Sequence, residues 1–345
     1  MTRSRFIPDN FTLLLTAAII AASTVPCRGT AAVVFNVITN IAIGLLFFMH
    51  GAKLSREAVV AGFTHWRLHL LIFACTFAMF PVLGIALRPV LEPLVTPELY
   101  VGMLFLCALP ATVQSAIAFT SMARGNVPAA VCSASASSLI GVFLTPVLVG
   151  LLMSQHGSAS SLDAIRSIVL QLLLPFIAGQ ISRRWIGEWV QARKATLGMI
   201  DRSSILLVVY TAFSEATIQG LWQQIPPRAL IGLLVACAVL LALALVITTF
   251  TARRLGFSKQ DEITIVFCGS KKSMASGIPM ARVLFDSGAV GAVVLPLMLF
   301  HQMQLMVCAV LAQRYATQAA RADAALIEAS AQTIPSTSIG ANERR

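Results

Sequence analysis

The sequence predicts an all-α polytopic membrane protein with ten transmembrane helices in two inverted five-helix repeats. Three observations lead there. Of 345 residues, 57% are hydrophobic and 11% charged, with mean hydropathy +0.84. Soluble domains carry about 25% charged residues, so a water-soluble globule of this composition lacks the polar groups to cover its surface. Apolar stretches of membrane-spanning length recur ten times, near 11–26, 31–51, 68–87, 99–123, 127–153, 165–181, 203–218, 230–251, 262–285 and 290–312. Lysine and arginine then divide unevenly between alternate connecting segments.

With the N-terminus inside, the inner segments carry 18 basic residues: Arg3, Arg5, Lys53, Arg56, Arg67, Arg124, Arg183, Arg184, Arg193, Lys194, Arg202, Arg253, Arg254, Lys259, Arg314, Arg321, Arg344 and Arg345. The outer segments carry five, Arg28, Arg88, Arg166, Arg228 and Arg282. That asymmetry predicts a multi-pass inner-membrane protein with both termini cytoplasmic. The net charge of +11 then reflects membrane orientation rather than a nucleic-acid partner.

The first stretch, 11–26 after MTRSRF, has the look of a signal peptide, and Cys27 follows it. Thr24-Val25-Pro26 is a poor lipobox, and the charge split needs this span retained. The fourth and ninth stretches are interrupted, at Pro110 and at Gly269–Pro279. Each is fourth in a run of five, and an odd count inverts the second run in the bilayer. Paired broken helices in inverted repeats point to a transporter's binding site, although ordinary proline kinks also occur in membrane helices. The segment after residue 313 lacks an apolar face and is expected to be a disordered cytoplasmic tail, 314–345.

The ninth stretch holds the strongest chemical signal. Lys271 and Lys272 sit mid-span with Cys268, Ser270 and Ser273. Each lysine costs roughly 2.5–3.5 kcal/mol at a helix centre, so the pair needs a purpose. Buried lysines lose a proton, pair with an acid or hold an anion; near water they snorkel. Neighbours on a helix diverge by about 100°, so both reach one spot only if the chain unwinds. Glu215, the only carboxylate well inside a predicted span, is a candidate partner for a lysine, or else an interface residue near Gln219 and Trp222. Thr112, Gln114 and Ser115 follow Pro110, where freed carbonyls, hydroxyls and an amide suit a small cation or a polar substrate. The fifth stretch opens VCSASASSLIG, residues 131–141. Its small residues serve close helix packing, with Ser133 and Ser135 as lesser site candidates.

Seven cysteines form no CxxC pair or Cys/His cluster, so neither disulfide framework nor metal site is expected. His65 and His69 have i, i+4 spacing but no third ligand beside them. No Walker, dinucleotide, HExxH or GxSxG pattern occurs, and nothing points to an enzyme or a cofactor. A membrane sensor or scaffold that keeps a transporter fold is the alternative class.

Several segments resemble the bile acid:sodium symporter superfamily, in the branch typified by solute carrier family 10 member 7 and its bacterial symporter members. They are LLFFMHGAKLS (45–55), HWRLHLLIF (65–73) with Phe80-Pro81, GNVPAA (125–130), LTPVLVG (144–150) and FCGSKKSMASGIPM (267–280). The resemblance implies a single transporter domain, 1–313. A panel of helices 1, 2, 6 and 7 spans about 11–51 and 165–218. A core of helices 3–5 and 8–10 spans about 68–153 and 230–312, with helices 4 and 9 crossing at its centre. It implies a small-molecule substrate, a small organic anion, bound between core and panel, with sodium or a proton as the coupling ion.

The family's sodium ligands do not all carry over. Its ninth-helix glutamate and glutamine fall on Cys268 and Lys272, its fifth-helix serine and threonine on Ala130 and Ala134, and its third-helix glutamine on Thr76. The serine–asparagine pair of its fourth helix falls on Ser115 and Ala116. Lys272 is therefore expected to face the central cavity beside the crossing, as a tethered substitute for sodium.

Overall fold

The computed structural model describes residues 10–53, 65–153 and 169–332, which form helices and no strand. The basic residues Arg3, Arg5, Arg56, Arg166, Arg344 and Arg345 lie outside the described residues, as does the start of the sixth apolar stretch. In chain order the helices are α1 (Asn10–Thr24), α2 (Gly29–Lys53), α3 (Trp66–Ala86) and α4 (Pro97–Ala108). Then come α5 (Gln114–Met122), α6 (Val127–Met153), α7 (Leu174–Ala192) and α8 (Lys194–Ile218). The last four are α9 (Pro227–Arg254), α10 (Lys259–Gly269), α11 (Met274–Leu284) and α12 (Val290–Gln332).

Among the described residues, six helices are long and apolar enough to cross a membrane: α2, α3, α6, α8 from Ala195, α9, and α12 as far as Arg321. Leu13–Thr24 and Pro97–Ala108 are shorter apolar helices. The two interrupted stretches each appear as a pair of short helices, α4 with α5 and α10 with α11.

The helices sort into two groups by contact. α7 lies along α2, α1 along α8, and α2 also against α8. The α2–α7 seam is backbone on backbone. A Cβ on Gly179 would fall 1.9 Å from the Phe48 carbonyl oxygen, so only glycine permits this approach. The other group, α3–α6 with α9–α12, shares a core around Phe80, Phe105, Leu109, Leu297 and Phe300. α8 carries most of the contact between groups, packing on α11 and α12.

Two boundaries differ from expectation. The second break is confined to Ser270–Ser273; Gly277 and Pro279 lie inside α11. Pro279 lacks the N–H that would reach the Ala275 carbonyl, and Ala275 is exposed; the Ser273 hydroxyl caps the first turn of α11, accepting the Ser276 N–H at 3.3 Å. The helix that begins at Val290 also continues beyond residue 313 to Gln332, so residues 314–332 are helical rather than disordered. Their alanine-rich sequence is a strong helix former, and Arg124 ties to Asp323 at 2.5 Å. Residues 333–345 lie outside the described residues.

Candidate functional site

The two breaks meet. Between α4 and α5 the chain is non-helical at 109–113, and between α10 and α11 at 270–273. The Ser273 N–H donates to the Pro110 carbonyl at 2.9 Å, joining one break to the other. α6 closes over the first break at Gly141, where a Cβ would lie 2.6 Å from Pro110 Cβ.

A broken helix leaves carbonyls without partners, and each needs a donor. Past Ala108 the helix cannot continue, because Pro110 has no N–H and the Ala111 N–H turns to the Ser137 hydroxyl at 3.0 Å. The Ala108 carbonyl accepts from Thr145 Oγ1 at 2.9 Å. The Cys107 and Leu109 carbonyls accept from Lys272 Nζ, at 2.8 and 2.7 Å. A fourth orphan lies in α3, where Cys75–Met79 widens into a π-turn. The Phe80 N–H is drawn to the Cys75 carbonyl, and Pro81 has none to offer the Thr76 carbonyl. That carbonyl accepts from Lys272 Nζ at 2.7 Å. Three acceptors match the three protons of an ammonium, and the Phe80 ring face covers the fourth side at 4.2 Å. The ammonium also sits at the C-terminus of α4, where a helix carries partial negative charge.

Gln304 of α12 fixes the lysine's own backbone. Its Oε1 accepts the Lys272 N–H and its Nε2 donates to the Lys272 carbonyl, both at 2.9 Å. Gln304 Nε2 also lies 2.8 Å from His301 Nδ1.

Lys271 points elsewhere, as an unwound chain allows. Its Nζ donates to the Ser115 carbonyl at 3.1 Å and lies 3.8 Å from the Phe119 ring centroid, with Phe267 on another side at 5.7 Å. Ser115 Oγ, 3.4 Å from that Nζ, donates to Thr112 Oγ1 at 2.9 Å. Gln114, at the first position of α5, is exposed, and no side chain caps that helix's first turn.

Neither ammonium faces an open cavity: Lys271 and Lys272 are both 0% exposed. The expectation of a cavity-facing Lys272 is corrected on this point, because the orphan carbonyls enclose its head group. Thr112, Ser115, Lys271, Lys272 and Ser273 come together at the crossing. Cys268 packs beside it with its Sγ 4.0 Å from the Ala130 carbonyl, and Ser270 spends its hydroxyl on the Val266 carbonyl within its own helix at 2.6 Å. Ser133 instead meets His69 Nδ1 at 2.7 Å, and Ser135 is half-buried with no contact to the lysines.

Glu215 is far from the lysines in connectivity. It pairs with Arg282 of α11, Oε2 to Nη1 at 2.5 Å and Oε1 to Nη2 at 3.3 Å. Asn36 of α2 completes the cluster, accepting from Arg282 Nη2 at 2.8 Å and donating to Glu215 Oε1 at 3.1 Å. This correction has a physical reason: Lys272 already has three carbonyl partners, whereas a bidentate guanidinium suits a carboxylate. Sequence reasoning missed Gln304, Phe80, Phe119, Asn36 and Arg282. Gln304 did carry a signal, as an amide within the apolar run LFHQMQLMV. No group of three or more potential metal ligands occurs among the described residues.

Two interrupted helix pairs thus meet at their breaks, beside two buried lysines, in a bundle that includes helices long enough to cross a membrane. The chain belongs to the SBF-like CPA transporter family, whose model matches residues 9–317. It is 70% identical over 330 residues to "Uncharacterized protein PA2026" of Pseudomonas aeruginosa, covering 95% of this chain and 99% of that one. It is 58% identical over 310 residues to "Putative symporter YfeH" of Escherichia coli, covering 90% and 93%. Identity to "Sodium/bile acid cotransporter 7" of Rattus norvegicus is 29% over 279 residues, covering 79% and 82%.

Proposed function

We propose that this protein is a secondary transporter that moves a small organic anion across the inner membrane by alternating access. The ten spans form two inverted repeats of five, with both termini cytoplasmic. α1, α2, α7 and α8 act as the panel, and α3–α6 with α9–α12 as the core. The observation that carries this reading is the crossing itself, where α5 and α11 both begin. Half-helix N-termini at mid-membrane depth favour anionic groups. Lys271 adds positive charge next to Ser115, and Gln114 offers an exposed amide. The anion's seat is the start of α5, with Gln114, Thr112 and Ser115 as direct ligands and Lys271 as a charge behind them.

Lys272 stands in for a bound sodium ion. Its ammonium has the surroundings of a bound monovalent cation: three carbonyl oxygens and an aromatic face. The rat relative's name includes sodium; here the cation is part of the chain, so transport does not require sodium. The bile acid in that name suggests the substrate class, an amphipathic or small carboxylate or sulfate.

Alternating access is supported by the cluster of Asn36, Glu215 and Arg282. It joins panel helices α2 and α8 to core helix α11, so core movement must break it. The test is uptake and counterflow of radiolabelled organic anions in proteoliposomes. Saturable uptake with trans-stimulation is expected, reduced in Gln114→Ala. Absence of any flux across a broad panel of carboxylates and sulfates, by protein that is folded and reconstituted, contradicts the transporter reading.

A further inference from the structure

A groove of about 790 Å³ runs along the lipid-facing seam between α9 and α12, away from the crossing. Val246 and Phe250 of α9 and Met306, Val307 and Val310 of α12 line it, all with exposed apolar side chains. The polar groups gather at one end, where Arg253 and Arg314 stand at the rim. From Met306 to Arg314 the helix rises about 12 Å, at 1.5 Å per residue. The groove therefore has the layout of a lipid site: an apolar channel deep in the hydrocarbon and basic residues at headgroup level.

The rim keeps net positive charge. Glu262, nearly buried beneath it, is already held by Arg253 Nε and Nη2 at 3.1 and 3.0 Å, by Lys259 at 2.7 Å and by Tyr315 Oη at 3.3 Å. Arg253 and Lys259 together exceed its single charge. Arg314 is exposed and has no hydrogen-bond or ion-pair partner among the described residues. Arg254 adds a further cation beside Phe250, 5.0 Å from the ring centroid.

We propose that this groove binds one anionic phospholipid, its acyl chain along α9 and α12 and its phosphate between Arg314 and Arg253. Charge complementarity selects the occupant. Guanidinium groups suit phosphate, and basic pockets between transmembrane helices recruit acidic headgroups. A zwitterionic lipid would bring its own ammonium to a rim that is already cationic. The bound lipid clamps α9 to α12, two helices of the group that contains the crossing. Lipid binding at this seam does not depend on the protein's being an active transporter.

Native mass spectrometry of the full chain, delipidated in a neutral detergent, tests it. Phosphatidylglycerol and phosphatidylcholine are titrated separately, alongside glycerol 3-phosphate as the headgroup alone. One phosphatidylglycerol is expected to be retained in preference to phosphatidylcholine. Arg314→Gln is expected to weaken it about fivefold, the worth of one basic residue near an acidic headgroup. Arg314 is exposed and unpaired among the described residues, so this variant should fold, whereas Arg253 braces Glu262. Val310→Trp, which fills the channel, should weaken retention while leaving the rim intact. Equal retention of both lipids, an unchanged Arg314→Gln variant, or full competition by glycerol 3-phosphate overturns the proposal. So does a lipid-free dimer buried on this face.

Discussion

Two basic side chains in this molecule are held in opposite ways. Lys272 has no carboxylate partner among the described residues; three backbone carbonyls and a ring face hold it, all from α3 and from α4 and the break that follows it. Arg282 is held by a carboxylate and an amide, Glu215 and Asn36, on helices of the other group. Carbonyls orphaned by a broken helix are fixed in place and always need a donor. A side-chain ion pair across a seam is reversible, because each side chain finds water or another partner when the seam opens. On the proposed transporter reading, Lys272 would stay in place through the cycle and the Arg282 cluster would open as a latch.

The largest expected effect comes from removing the Lys272 side chain. Lys272→Met keeps most of the volume but leaves three buried carbonyls unpaired, each costing about 1–3 kcal/mol. The variant should melt far below wild type in detergent or fail to accumulate. Lys272→Ala leaves room among the same oxygens, and sodium should raise its melting temperature where it does not raise that of wild type. A Lys272→Met variant as stable as wild type would break the contrast.

Next is the latch. Breaking a fully buried ion pair by removing one partner costs about 3–5 kcal/mol. Here the side-chain exposures of 7% for Arg282 and 21% for Glu215 reduce that figure. The predicted outcome of Glu215→Gln or Arg282→Gln is a folded protein with altered conformational balance. An added Ala216→Cys substitution, buried on α8 next to Glu215, should then react faster with a membrane-impermeant thiol reagent supplied from the outer side, in a chain whose Cys27 is replaced by serine. Restoration by the charge swap Glu215→Arg with Arg282→Glu would sharpen the case; unchanged labelling in every variant would end it.

Particular residues show how much of this is legible in the sequence. Pro110 and the lysine pair announce the two breaks, because a proline and two charges are each costly inside a continuous apolar helix. The destinations of the lysines are not legible. Lys272 goes to Thr76 because a π-turn and Pro81 free that carbonyl, and a π-turn leaves no simple trace in periodicity. Glu215 stands out as a lone carboxylate, yet its partner Arg282 reads as an outer-segment charge. Only the fold shows that α11 carries it against α8. The extension of α12 to Gln332 has no apolar face to announce it; alanine-rich propensity sustains that segment instead.

Smaller effects separate support from contact. Gln304→Leu removes two hydrogen bonds to the Lys272 backbone and should cost about 1–3 kcal/mol, seen as a lower melting temperature. Gln114→Ala touches an exposed side chain and should change stability by no more than about 0.5 kcal/mol, while weakening anion binding in a ligand-stabilisation assay. If Gln114→Ala binds normally, the seat at the start of α5 is wrong.

We propose that Lys272 supplies the cation at the crossing. Thermal stabilisation of the purified protein by organic anions, measured in sodium and in choline salts at constant ionic strength, tests it most directly. The same ligand-dependent stabilisation is expected in both. Stabilisation that appears only when sodium is present would contradict it.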